Sequence, residues 1–125
     1  MPALNFTVFI DQVIDGTKSH TIRELRKRPF KVCDDLSFFT GMRTTKCRRL
    51  RPNMLCTAAS RITINAYSRF VYIHAGSRFY PEGELNRTQI DELAKRDGFD
   101  DADSFFRFFS RGNLNFRGQL VEWLP

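Results

Sequence analysis

The chain has 125 residues, 42% hydrophobic and 27% charged, with a formal net charge of +6. This is a single domain, long enough to bury roughly two-thirds of the surface its unfolded chain exposes, and it needs neither disulfides nor a metal to fold. The chain lacks a basic segment leading into an apolar run and has no stretch of about 18 apolar residues, so neither export nor membrane spanning is expected and the predicted location is cytoplasmic.

Leu4 to Phe9 reads as a first strand and Ile10 to Asp15 as one or two helical turns with Val13 and Ile14 facing inward. Gly16 follows, the residue best suited to the left-handed conformation that ends a helix. Ser19 to Leu25 is predicted to be a strand. Alternation then places Thr21 and Arg23 on one face and His20 and Ile22 on the other, with Lys18 in the turn, free to swing to the Thr21 side. Arg26-Lys27-Arg28-Pro29 is a basic connection, closed to helix by the proline.

A turn at Cys33-Asp34 feeds a buried strand with Leu36 and Phe38 on one side, ended by Gly41. Met42 to Met54 shows neither strand nor helix period and carries Arg43, Lys46, Arg48, Arg49 and Arg51. It is predicted to be a basic loop of about a dozen residues, a length at which loops tend to be functional or disordered. Leu55 to Ile64 and Phe70 to Ile73 read as strands joined by a turn at Asn65-Ala66-Tyr67-Ser68. A second turn at His74-Ala75-Gly76-Ser77 leads to a short strand at Arg78 to Tyr80. Thr88 to Asp91 has the spacing of a capping box and opens a helix that ends at Gly98, with Ile90, Leu93 and Ala94 on one face. Asp100 or Asp101 caps a second helix, Ala102 to Ser110, stopped by Gly112-Asn113. Phe116 to Trp123 is the closing strand.

Charge is distributed unevenly: residues 1 to 80 carry 14 Lys/Arg against 5 Asp/Glu, whereas residues 81 to 125 carry 6 against 9. The first part is therefore the one that would face phosphates. Cys33, Cys47 and Cys56 lack the paired short spacing of zinc sites and are expected to be reduced thiols. Neither a cofactor nor a metal is predicted. Of the tyrosines, Tyr67, Tyr72 and Tyr80 could offer a base-stacking face or could be half-buried sheet residues.

Gly16-Thr17-Lys18-Ser19-His20-Thr21 matches G-x-K-x-x-T, and the chain resembles the ASCH domains, small relatives of the PUA RNA-binding fold, that carry this signature. The Ile22-Arg23 that follows is also usual there, and Lys31-Val32-Cys33-Asp34-Asp35-Leu36 looks like the family's K-V-G-D-x-L turn, with Cys33 where glycine is common. The resemblance covers nearly the whole chain. It implies an α+β fold, a partly open β-barrel with flanking helices, and a cleft that accepts RNA or a modified pyrimidine nucleoside. One characterised bacterial branch hydrolyses the acetyl amide of N4-acetylcytidine with a Lys, a Thr and a Glu. Lys18 and Thr21 match the first two, and Asp97, one methylene shorter, falls at the third.

The chemistry of these residues is consistent with that expectation. Thr21 needs a neighbouring base to become a nucleophile. Lys18 can be that base if burial or nearby arginines lower its pKa, and Asp97 would position the lysine or handle the leaving group's proton. Arg23 is suited to a phosphate or an oxyanion. The alternative is a Thr bonded to a neighbouring strand, with Lys and Arg on solvent. Arg26, Lys27, Arg28, Arg43, Lys46, Arg48 and Arg49 make a candidate phosphate track. The leading expectation is thus a nucleic-acid-associated binding domain. An amidohydrolase using Lys18, Thr21 and Asp97 is the alternative, with a ribonuclease further behind. A third is a phage or bacterial protein-interaction factor whose basic surface occupies an acidic protein partner.

Overall fold

The computed structural model describes residues 2–74, 77, 80–111 and 115–123. Its elements are β1 (Ala3–Asn5), α1 (Ile10–Asp15), β2 (His20–Glu24), β3 (Asp35–Thr40), β4 (Arg48–Asn65), β5 (Phe70–His74), β6 (Gly83–Glu84), α2 (Arg87–Asp97), α3 (Ala102–Phe109) and β7 (Asn115–Trp123). No helix among the described residues is long and apolar enough to cross a membrane.

The architecture is mixed α+β, built on a seven-stranded sheet in which β4 is the common member. The first half of β4 pairs antiparallel with β3, from Thr40↔Arg48 to Asp35↔Leu55, and β3 pairs in parallel with β1. From Cys56 onward β4 pairs with β7 along its length, and Arg61–Asn65 pair with β5 as well. The register slips between Cys56 and Ala58, where β4 changes partners. Such an irregularity bends a strand and lets it serve two sheets. β2 joins β7 and β6 joins β5. Among the described residues β1, β2 and β6 each pair with one strand only, so the sheet is open and does not close into a barrel.

β7 separates two cores. Leu120 packs with Ile22, Ile62, Ile64, Val71 and Ile73 beneath Leu93 of α2 and Phe105, Phe106 and Phe109 of α3. Val121 and Trp123, on the opposite face, pack with Leu4, Phe6, Val13, Leu36 and Phe38, the Phe38 and Trp123 rings meeting edge to face at 4.9 Å. Gly118 to Trp123 are consequently all buried.

Several sequence expectations need correction. The first strand stops at Asn5, and Phe9, with φ of 57°, turns the chain into α1. Ile14 is 46% exposed, because a six-residue helix turns only Val13 fully into the core. The predicted basic loop is a turn over residues 41–47 followed by the first half of β4. Arg48, Arg49 and Arg51 are strand residues held by pairing to β3, with Leu50 inward. The box that opens α2 is Asn86 with Gln89, each side chain bonded to the other's backbone N–H at 2.9 Å, two residues before the one predicted. Asp101 caps α3. Most of the expected turn at 74–77 and strand at 78–80, and the stop at Gly112-Asn113, fall outside the described residues.

Gly118 ties β2 to this frame. A Cβ there would overlap the Arg23 carbonyl oxygen and approach the Phe116 ring at 2.7 Å. Because the obstruction is backbone, Gly118→Ala is expected to push β2 away from β7 and destabilise the protein by about 3 kcal/mol, the upper end of what overpacking costs. A urea midpoint within error of the parent would contradict this.

Candidate functional site

The site forms where β2, an edge strand, meets the C-terminal end of α2. Gly16, with φ of 85°, ends α1 and turns the chain, and the Lys18 backbone N–H bonds to the Gln12 carbonyl at 3.0 Å. One residue on, the Ser19 carbonyl accepts from the Trp123 N–H at 3.0 Å. This docking fixes the path of the motif before β2 begins.

Lys18 is 3% exposed, and its Nζ donates to Asp97 Oδ1 at 2.5 Å and to the Asp97 carbonyl oxygen at 2.6 Å. Asp97 is the last residue of α2, where backbone carbonyls lack helical partners, so one ammonium satisfies both a side chain and a helix end. Gly98, with φ of 113°, completes the cap, and a Cβ there would lie 2.6 Å from the Phe9 ring. Glycine thus lets Phe9 close over the pair, its ring 5.5 Å from Lys18 Nζ and edge to face with Phe99 at 4.9 Å.

His20 is 2% exposed, with Nε2 3.6 Å from Asp97 Oδ1, too far for a hydrogen bond, and no hydrogen-bond partner on that nitrogen among the described residues. It sits directly opposite Glu122 in the β2–β7 register. Burial lowers its pKa from 6.5 to about 4; Asp97 opposes this, and Lys18 and Arg96 reinforce it. The imidazole is therefore neutral at pH 7. Burial also lowers the Lys18 pKa, with the Arg23 charge adding to it and Asp97 opposing.

Thr21 is 5% exposed and lines a cavity of about 80 Å³ together with Lys18, Arg23 and Asp97, walled by Phe9, Phe99, Phe108 and other apolar residues. Arg23 lies over the Phe6 ring at 4.7 Å, with Nε and Nη2 buried and without hydrogen-bond partners among the described residues. Burial lowers its pKa, although a guanidinium stays protonated in proteins. An anion arriving here would supply the missing acceptors. Ile22, Arg23, Phe108 and Phe109 also line an adjoining groove of about 910 Å³, to which Arg111 and Arg117 contribute.

Lys18, Thr21, Arg23 and Asp97, singled out from the sequence, thus share one cavity. The remaining predicted phosphate contacts do not join them. Arg26, Lys27, Arg28, Arg43, Lys46, Arg48 and Arg49 are exposed and none lines it. Glu92, the other acid considered in α2, is also exposed. The expectation for His20 was core or edge, and Arg111 and Arg117 carried none; no local pattern marks any of the three, because their neighbours are brought together only by the fold.

No family model, curated protein or solved structure matches the chain.

Removing one member of the buried pair leaves the other charge stranded. Lys18→Met is expected to cost about 3 to 5 kcal/mol, and Lys18→Met with Asp97→Leu to recover most of that loss. Equal losses in the single and double variants would contradict the pairing. His20 makes stability depend on pH in a defined direction. Its folded pKa lies below its unfolded value, so the unfolded chain binds the proton more readily. The stabilisation is complete above pH 6.5 and is lost as pH falls toward about 4, at about 1.4 kcal/mol per pH unit. His20→Gln is expected to flatten this slope in urea unfolding across that range.

Proposed function

We propose that this chain binds a pyrimidine nucleoside, free or within RNA, with the base substituent entering the cavity beside Lys18 and Thr21. The observation carrying this reading is a guanidinium with two buried nitrogens that lack hydrogen-bond partners among the described residues, beside a cavity that also holds an amine, a hydroxyl and a carboxylate. A volume of about 80 Å³ is that of two or three waters, at about 30 Å³ each. It suits an amide or acyl group, with the sugar and phosphate left to the adjoining groove. The resemblance of Gly16 to Arg23 to the ASCH motif points the same way, and the PUA-like identity of the fold is part of this proposal.

Titration with cytidine and N4-acetylcytidine, followed by two-dimensional NMR, tests it. Shifts are expected at Lys18, Thr21, Arg23 and Asp97, and Arg23→Ala is expected to weaken binding. A spectrum unchanged at millimolar nucleoside would sink the idea.

A second reading, hydrolysis of the acetyl amide, is favoured by the contact between Lys18 and Asp97 at 2.5 Å. The shorter acid reaches the lysine here, aided by its own carbonyl oxygen. Burial makes the neutral amine more accessible than on an exposed lysine. Lys18 then takes the proton from Thr21 Oγ, or from a water that Thr21 orients. The oxygen attacks the acetyl carbon and the developing oxyanion turns to Arg23. The C–N bond breaks and the proton on Lys18 passes to the departing amine. If Thr21 is the nucleophile, water then releases acetate from the threonine ester. Asp97 orients the lysine throughout. Cytidine and acetate should appear from N4-acetylcytidine, at a rate lowered about 10²-fold or more by Lys18→Ala. Turnover indifferent to both Lys18→Ala and Thr21→Ala would reject the assignment.

A further inference from the structure

β5 alternates cleanly. Val71 and Ile73 are completely buried beneath the helices, while Phe70, Tyr72 and His74 share the opposite face. Their rings form a row. Phe70 and Tyr72 are stacked at 6.2 Å with 20° between planes, and Tyr72 and His74 lie 4.7 Å apart. Thr63 Oγ1 lies 3.1 Å from His74 Nε2 and steadies that ring. Phe70 and Tyr72 are half-buried and His74 is exposed, so part of the row is open to solvent.

The register places cations beside one end of the row. Arg61 is directly opposite His74, Thr63 is opposite Tyr72, and Arg117 is opposite Thr63 on the far side of β4. Arg61 and Arg117 are exposed and flank a groove of about 420 Å³ that His74 and Leu25 help to line. Neither arginine takes part in an ion pair among the described residues. Glu84 is opposite Tyr72 on β6, at the edge away from the arginines, so the face is polarised with its positive end at Arg61 and Arg117. Leu25 and Arg117 also line the groove that reaches Arg23, which makes the surface continuous with the approach to the cavity.

We propose that this outer sheet face is a platform for single-stranded nucleic acid, with Phe70, Tyr72 and His74 stacking bases and Arg61 and Arg117 contacting phosphates. A row of rings on a partly exposed sheet face can hold splayed bases, and a duplex, whose bases are already stacked internally, cannot use it. Two arginines outside any ion pair among the described residues supply charge of the right sign at spacing set by the strands. The platform goes beyond the cavity reading and does not rest on it. Binding of an oligonucleotide is measurable whether or not a nucleoside enters the cavity.

Fluorescence anisotropy with labelled oligouridylate and oligothymidylate tests the proposal; binding of either at low salt supports it. Tyr72→Ala is expected to weaken binding roughly 5- to 100-fold, and Tyr72→Phe to retain it, since the ring and not the hydroxyl makes the stack. Arg61→Glu with Arg117→Glu, both at exposed positions where folding is not at risk, is expected to lower the slope of log affinity against log salt by about 1.4, or about 0.7 for each phosphate no longer neutralised. Lys95→Glu, an exposed charge reversal on α2, is the control and should have a smaller effect than reversal at Arg61 alone. The proposal is overturned by failure of both oligonucleotides to bind, by equal binding of duplex, by competition from poly-glutamate as effective as from oligouridylate, or by affinity indifferent to the Arg61 and Arg117 reversals.

Discussion

Burial of β7 on both faces is the constraint on which the rest of this structure depends. A strand whose alternate residues face two different cores cannot shift by one residue without moving Leu120 into the place of Val121 and exchanging Trp123 for Glu122. Its register is therefore strongly specified, and it passes that register to both neighbours. β4 is paired with it from Cys56 to Asn65, and β2 from His20 to Glu24. Although β2 is an edge strand, it is held from one side by Gly118 and the two cores. Its free edge becomes the wall of a cavity instead of a template for another strand, because Phe9, Phe99 and Phe108 crowd that side.

Held this way, β2 delivers side chains from both of its faces to one place. Lys18 and His20 approach Asp97 on the α2 side, while Thr21 and Arg23 enter the same cavity from the other. Stability does not explain the arrangement well. Taking an ammonium and a carboxylate out of water costs several kcal/mol per ion, which their attraction does no more than offset. A pair of apolar residues would fill the space without that penalty. The His20 and Arg23 nitrogens that lack hydrogen-bond partners among the described residues add further desolvation, which the Asp97 charge offsets in part. Ionisable groups perturbed by burial in this way cluster at functional sites.

The distribution of positive charge follows the same division. The exposed cations of the Arg26 to Arg28 connection and of the first half of β4 stand apart from the cavity. Arg26 and Arg49 lie over the Phe30 and Phe39 rings at 4.7 and 5.5 Å, and Arg51 bonds to the Val13 carbonyl at 3.3 Å. These side chains cover apolar surface with their stems and planes as much as they present charge. Arg23, Arg111 and Arg117 line the groove beside the cavity, and only the first of them was marked by its position in a motif.

What the sequence by itself determined was local. Gly16 and Gly98 end their helices in the left-handed conformation that glycine alone adopts without penalty, α1 has its predicted limits, and the limits of β2, β5 and β7 fall within one residue of those predicted. Lys18 and Thr21 were legible because a motif places them within one turn of chain. Tertiary structure decided the rest. Arg48 to Met54 has no period of its own and becomes strand because β3 supplies its hydrogen bonds. Asp97 was a matter of alignment until α2 packed its last residue against Lys18 across a separation of 79 residues. His20 reads as an ordinary inward residue in any local window, and only docking of β2 between β7 and α2 buries it 3.6 Å from the carboxylate. Local signals carry conformational preference, whereas which charges meet, and how far they are removed from water, depends on contacts that exist only once the chain has folded.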